Sequence, residues 1–117
     1  MVKIKLSIRI DLPGGHRLGP GKAALLTEIQ REGSLSGAAR KLGMSYPRAL
    51  KLVEQMNTAF DTQLVKKHQG GKAGGKTDLT EAGMAVLEAY RQICSLVEDA
   101  ASGPLGRLSE STKRATP

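Results

Sequence analysis

The feature that most restricts the fold of this chain is a short alanine-rich segment interrupted by one glycine, within residues 33–60. Two helices that cross at a steep angle need a small residue where they touch and a glycine in the turn between them. Ala39 supplies the small contact and Gly43 the turn, and apolar residues flank both: Leu42, Met44, Ala49 and Leu52. A generic helical hairpin also favours alanine and glycine, but the combined spacing and the basic character of the segment favour a DNA-binding helix-turn-helix.

Hydrophobic patterning around this segment predicts the other elements. Apolar and polar residues alternate over residues 3–10, which is the pattern of a half-buried strand. Helical spacing recurs over 22–32 and 45–60, and Ser45 is the expected cap of the second of these helices. The remaining predicted elements are a short helix at 37–42, strands at 64–68 and 77–79 around a glycine- and lysine-rich loop at 69–76, and a long helix at 81–101 capped by Thr80.

This order predicts a mainly α fold with a small β-hairpin wing, that is, a winged helix-turn-helix with a long C-terminal dimerisation helix. We expect residues 1–101 to form the DNA-binding domain, with the dimer helix at 81–101. Residues 102–117 are poor in large apolar side chains and contain two prolines. We therefore expect them to form a flexible C-terminal tail.

The net charge of +7 indicates an anionic partner, with nucleic acid as the leading candidate and a merely solvated basic surface as the alternative. Residues 40–77 hold eight Lys or Arg and two Asp or Glu, so most of the charge lies there. The single Cys94 excludes an internal disulfide, and two distant histidines cannot build a structural zinc site with it. No apolar run reaches the ~18–20 residues of a membrane span, and no signal peptide is recognisable. We expect a cytoplasmic protein without metal or other cofactor.

Exposed residues at the start of helix 45–60 are the candidates for reading DNA bases. Arg48 is the strongest of them because its planar fork can bond guanine O6 and N7 together. Tyr46 could contact a phosphate or a thymine methyl, although ordinary packing between helices is the alternative. Lys41 and Lys51 suit phosphate contacts, which position the protein without reading sequence. The predicted DNA-binding residues are Ser36, Lys41, Ser45, Tyr46, Pro47, Arg48, Lys51, Lys66, Lys72 and Lys76.

One motif points elsewhere and is rejected. Residues 70–77 read Gly-Gly-Lys-Ala-Gly-Gly-Lys-Thr, a full match to the phosphate-binding loop of nucleotide hydrolases. That loop needs a buried parallel strand before it and a helix at its end, whereas residues 64–68 are too polar for such a strand. We therefore expect the glycines to form the tip of a wing. No nucleophile, base and orienting carboxylate occur together elsewhere, so no enzymatic activity is expected.

The long helix suggests a partner subunit. Its apolar residues recur at steps of three and four, and the predicted interface consists of Leu87, Tyr90, Cys94 and Val97. One domain of this size rarely needs so wide an apolar stripe on its last helix, so we expect part of it to lie between subunits. The alternative is that the first helix and the N-terminal strand cover the whole stripe.

With these residues in view, the chain resembles the N-terminal DNA-binding domain of ModE-type, molybdate-responsive bacterial transcriptional regulators. The resemblance rests on several short segments: Gly-Pro-Gly-Lys-Ala-Ala-Leu-Leu at 19–26, Gly-Ser-Leu-Ser-Gly-Ala-Ala-Arg at 33–40, Leu-Gly-Met-Ser-Tyr at 42–46, Arg-Ala at 48–49, the wing at 70–75 and Leu-Thr-Glu-Ala-Gly at 79–83. The last segment is also similar to LysR-type regulators, but the Met-Ser-Tyr segment and the glycine-rich wing favour ModE.

The resemblance implies a winged helix domain that binds operator DNA as a homodimer, with Ser45, Tyr46 and Arg48 on the recognition helix. Pro47 stands where that family commonly has a basic residue. The family's molybdate sites lie in C-terminal oxyanion-binding domains, and we expect this chain to lack them.

The sequence thus predicts a homodimeric transcriptional regulator that reads a palindromic operator. A sequence-nonspecific architectural or nucleoid-associated protein is the main alternative, and it would bind every duplex with similar affinity at fixed salt. A protein-interaction module would bind no duplex at all, and a nucleotide-hydrolysing enzyme would respond to ATP.

Overall fold

The computed structural model describes residues 4–68 and 75–112. In these ranges it has four helices and two antiparallel strand pairs, which confirms the predicted fold class of a winged helix-turn-helix. The elements in chain order are β1 (Ile10–Asp11), β2 (Arg17–Leu18), α1 (Pro20–Glu32), α2 (Leu35–Leu42), α3 (Tyr46–Ala59), β3 (Val65–His68), β4 (Lys76–Leu79) and α4 (Glu81–Ser111). None of the described helices is both long enough and apolar enough to cross a membrane.

An aliphatic core joins the first three helices. Its completely buried centre comes mainly from α1, through Leu25, Leu26 and Ile29. Helix α2 presents Ala38 and Ala39 to this centre, and small side chains let its backbone approach closely. Helix α3 contributes its own buried stripe of Ala49, Val53 and Met56, as its spacing predicted.

Strands β3 and β4 form the predicted hairpin, with Val65 opposite Leu79 and His68 opposite Lys76. Asn57, near the end of α3, ties the hairpin to the core. Its Oδ1 accepts from the backbone N–H of Leu64 at 2.8 Å and of Val65 at 3.1 Å, and its Nδ2 donates to the Val65 carbonyl at 3.1 Å. The wing therefore has a fixed base on the recognition helix.

The N-terminal strand is much shorter than its alternating pattern predicted. Only Ile10–Asp11 pairs, with Arg17–Leu18, while residues 4–9 form no strand. Their exposure nevertheless alternates along the chain, with every second residue half-buried. The cause is helix α4: residues 5–8 line a common cleft with Tyr90 and Cys94, and the Tyr90 hydroxyl donates to the Ile8 carbonyl at 2.6 Å. The alternation thus reflects packing beside a helix rather than pairing in a sheet.

Helix α4 is longer than predicted and ends at Ser111 instead of near Ala101, so residues 102–111 are not a flexible tail. The helix continues through Pro104, which has no N–H to donate to the preceding turn. In that turn the Ser102 hydroxyl donates to the Asp99 carbonyl at 3.0 Å. Residues 113–117, the rest of the expected tail, lie outside the described residues.

Candidate nucleic-acid interface

The turn between α2 and α3 sets the orientation of the recognition helix. Gly43 adopts a left-handed conformation with φ 67°, as a tight helix C-terminus requires. The Met44 N–H then donates to the Ala39 carbonyl at 3.0 Å. Ser45 caps α3 as predicted, because its hydroxyl accepts from the Arg48 N–H at 3.2 Å. These local bonds fix the first turn of α3 relative to α2.

That first turn carries side chains that the fold leaves free. Tyr46, Pro47, Arg48 and Lys51 are all exposed, while the opposite side of α3 is buried in the core. Every described residue at the start of this helix that we predicted for base or backbone contact is therefore accessible to a macromolecule.

One flank of α3 meets the wing in a cleft. Ser36 at the start of α2, Tyr46 at the start of α3, and Lys67 and Thr77 of the wing strands line it. The Lys67 ammonium donates to the Tyr46 hydroxyl at 3.2 Å and lies 5.6 Å from the centroid of its ring. Tyr46 remains 42% exposed, so it is not a core residue packed between helices. The cleft combines hydroxyl groups and a cation, which suits a phosphate.

Lys67 is a candidate contact that the sequence predictions missed. Nothing within a few positions of it indicates a special role, since its partner Tyr46 is 21 residues away. The pair forms only because Asn57 holds the start of β3 against α3. The neighbouring Lys66 and Lys67 are equally basic in sequence, and the fold alone directs Lys67 to the recognition helix.

The other predicted DNA contacts divide into described and undescribed residues. Lys41, Lys66 and Lys76 are exposed on α2, β3 and β4. Lys72 and the wing tip lie outside the described residues. At the wing's base, the imidazole of His68 is 3.2 Å from the carboxylate of Asp78.

The phosphate-loop motif has the wrong structural setting for a nucleotide site. Its last residues, Lys76 and Thr77, belong to strand β4, and β4 pairs antiparallel with β3. A nucleotide-binding loop instead leads from a parallel strand into a helix. Among the described residues, no three His, Cys, Asp or Glu side chains are grouped as metal ligands.

The predicted dimer face of α4 requires a correction. Leu87 and Tyr90 are 2% and 6% exposed because α1 and the N-terminal segment cover them, and Cys94 is half-buried on the same side. Of the four predicted residues only Val97 is exposed. Side chains at steps of three and four along a helix share a face, and an exposed apolar face does lie about a quarter-turn away. It consists of Ile93, Leu96, Val97 and Leu108.

Comparison with known proteins gives the same picture. The profile of the family described as "Bacterial regulatory helix-turn-helix protein, lysR family" matches residues 22–84, more than half of the 117 residues. Two relatives from Rhodobacter capsulatus are named molybdenum-pterin-binding proteins. MopA is 35% identical over 102 residues, which cover 87% of this chain and 37% of the relative. MopB is 44% identical over 79 residues, which cover 68% of this chain and 29% of the relative.

A third relative, the transcriptional regulator ModE of Yersinia pestis, is 36% identical over 81 residues, or 69% of this chain and 31% of the relative. The chain thus spans about a third of the length of the curated relatives that it matches. The family match covers α1 to the start of α4, which includes the helix-turn-helix and the wing.

Proposed function

The chain belongs to the bacterial regulatory helix-turn-helix proteins of the lysR family, and we propose that it is a ModE-like transcriptional regulator that reads operator DNA in a sequence-specific manner as a homodimer. The observation that carries this proposal is the free N-terminal turn of α3. Its polar side chains project away from the core, and a basic wing lies beside them.

The proposed mechanism assigns base reading to α3 in the major groove. Arg48 bonds a guanine edge through its guanidinium fork, and Tyr46 lies at the border between the bases and the phosphates. Lys41 and Lys51 contact the backbone, as do Lys66, Lys67 and Lys76 of the wing. These lysines supply affinity and register without sequence preference.

The proposed dimer forms through the exposed apolar face of α4. A two-fold axis there would present two copies of α3 to the same side of a duplex. Recognition helices of such dimers are spaced about one turn of DNA, ~34–36 Å, or a multiple of it. The operator would accordingly be a palindrome whose half-sites have the same spacing.

The relatives' names suggest the regulated process. Two of them are named for binding a molybdenum-pterin. We therefore place the proposed operators in the control regions of genes that handle molybdenum. For this chain the proposal concerns the choice of operator, since the aligned part of the relatives contains the helix-turn-helix and the wing.

In vitro selection of bound duplexes from a random library tests the proposal directly. A palindromic consensus supports both the sequence-specific regulator and the dimer, and its half-site spacing tests the geometry. Binding without any enriched sequence would instead indicate an architectural DNA-binding protein. Failure to bind any duplex at physiological salt would contradict both and point to a protein-interaction module.

A further inference from the structure

A second basic cleft lies on the other flank of α3, away from the wing. It separates α3 from the hairpin formed by β1 and β2, and the start of α1 closes one end. Its cationic side chains come from all three elements: Arg9 and Arg17 from the hairpin, Lys22 from α1 and Arg48 from α3. No Asp or Glu lines this cleft among the described residues.

Most of this charge is not neutralised by the protein. Arg9 is paired, with Nε 3.1 Å from an Asp11 carboxylate oxygen. Within the described part of the chain, neither Arg17 nor Lys22 forms an ion pair. The Lys22 ammonium instead donates to the Arg17 carbonyl at 2.9 Å. Partial burial, followed by the nearby Arg17 charge, lowers the pKa of Lys22. Like charges are thus held close together, an arrangement that an anion would stabilise.

The position of this cleft relative to α3 identifies the anion. A helix in the major groove has one phosphate backbone on each side, because the groove is about 12 Å wide and bounded by the two strands. The wing cleft with Tyr46 and Lys67 lies on one flank of α3, and the hairpin cleft lies on the other. Arg48 lines the hairpin cleft and also belongs to the proposed base-reading turn, so the two surfaces are continuous.

We infer that the N-terminal hairpin is a second DNA-binding element, in which Arg17 and Lys22 contact the phosphates of the strand opposite to the one held by the wing. This inference rests on the proposed function. The cleft is open and Arg9 and Arg17 are exposed, which fits an extended polyanion rather than an enclosed small ligand. The hairpin precedes the helix-turn-helix in sequence, and none of its residues is among the contacts that the sequence predicted.

The variant Arg17→Gln tests the inference without disturbing the fold. The Arg17 side chain is exposed, and the bond to Lys22 uses its backbone carbonyl, which remains. The matched control is Arg107→Gln, which removes the same charge from an exposed position on α4, outside both clefts. Binding to the selected operator and to a random duplex is measured by fluorescence anisotropy over a range of salt concentrations.

We expect Arg17→Gln to weaken binding to both duplexes by the same factor and to lower the slope of log K against log[salt] by about 0.9, the value for one phosphate contact. Arg107→Gln should leave the slope unchanged, and Arg17→Lys should restore it. Phosphate-ethylation interference should show protected positions on both strands for the wild type and lose one strand's positions in Arg17→Gln.

Two results separate the inference from the function on which it rests. A wild-type protein that binds its operator, with an Arg17→Gln variant of unchanged slope and interference pattern, would overturn the hairpin contact and leave the regulator intact. A wild-type protein that binds no duplex would refute the proposed function itself. A loss confined to the specific operator would also contradict the inference, because a phosphate contact carries no base preference.

Discussion

Arg48 combines two properties that base reading requires. Its backbone N–H is engaged in the Ser45 cap, which fixes where the side chain begins, while the guanidinium stays exposed at the start of α3. The cap uses only the backbone of Arg48, so replacing the side chain should leave the helix start in place. Effects on binding can therefore be attributed to the guanidinium.

The variant Arg48→Ala should lose about 1–3 kcal/mol of discrimination at one base position and relax the consensus there. Arg48→Lys keeps the charge but lacks the two-pronged donor, so it should recover affinity for random DNA and not the base preference. Competition between operator and random duplexes measures both quantities. An equal loss on the two duplexes for Arg48→Ala would contradict the assignment of this residue to base reading.

Tyr90 gives the fold a titratable contact at high pH. Burial is the main reason that the pKa of its hydroxyl rises to about 12, and a hydrogen bond with Cys94 adds to it. The folded state thus favours the neutral phenol, whose hydroxyl donates to the Ile8 carbonyl. Because the folded pKa exceeds the unfolded value near ~10, this contribution is complete below pH ~10 and is lost as the pH rises towards 12.

We therefore expect the free energy of unfolding to fall by roughly 2–3 kcal/mol between pH ~10 and ~12 because of this one group. Tyr90→Phe should lack that part of the decrease. At pH ~8 the variant should be about 1 kcal/mol less stable than the wild type, since the Ile8 carbonyl loses its donor. Urea unfolding of both proteins across this pH range measures the difference. The same alkaline slope in both would rule out the role of Tyr90.

Residues whose roles depend on close sequence neighbours were predictable, and residues whose roles depend on tertiary contacts were not. Ser45 and Thr80 cap their helices as expected because a cap bonds only three positions ahead. Lys67 and Arg17 could not be assigned from sequence. Each becomes a candidate DNA contact only when a separate element brings it beside α3.

Helix α4 starts against the wing at a point where only glycine fits. A side-chain carbon at Gly83 would overlap the backbone carbonyl of Leu64. That carbonyl already accepts the Thr80 N–H at 2.9 Å, so neither backbone can move away freely. The close approach connects the base of the wing to the first turn of α4.

Gly83→Ala should consequently destabilise the protein by about 3 kcal/mol, the cost of overpacking at a rigid contact. Gly106→Ala is the matched control on the same helix, where the added carbon meets nothing within 4 Å. That change should stabilise the helix by about 0.5–1 kcal/mol, because alanine has the higher helix propensity. Thermal unfolding of the two variants decides the matter, and a neutral Gly83→Ala would show that the wing is not held in this way.

At the level of elements, the sequence predicted the helix-turn-helix and the wing but misjudged both ends of the chain. The alternation over residues 3–10 is real, yet its buried side chains lie near α4 instead of pairing in a sheet. The Ser102-Gly103-Pro104 step is typical of a helix end, yet α4 continues through it. In both cases local preference was a poor guide because a long helix that lies beside other segments changes what is favourable.

The whole molecule divides its surface between two interfaces. The two basic clefts and the exposed turn of α3 form one continuous side, to which α4 contributes no lining residue. Leu96 on α4 is 63% exposed, and with Ile93 and Val97 it makes a stripe that the chain itself leaves uncovered. The proposed dimer would bury this stripe while both DNA-binding sides stay free.

Leu96→Glu should therefore convert the protein to a monomer without unfolding it, because the side chain is outside the core and a carboxylate at a subunit contact is costly to bury. Ser95→Glu adds the same charge to an exposed neighbouring position that points away from the stripe, and it should remain dimeric. Sedimentation velocity measures the oligomeric state, and anisotropy measures binding to a full palindrome and to a single half-site. For Leu96→Glu, affinity for the palindrome should fall by about a hundredfold or more, since linked binding of two sites is lost, while half-site affinity stays unchanged. A wild-type monomer, or a dimeric Leu96→Glu with full affinity, would contradict the assigned face.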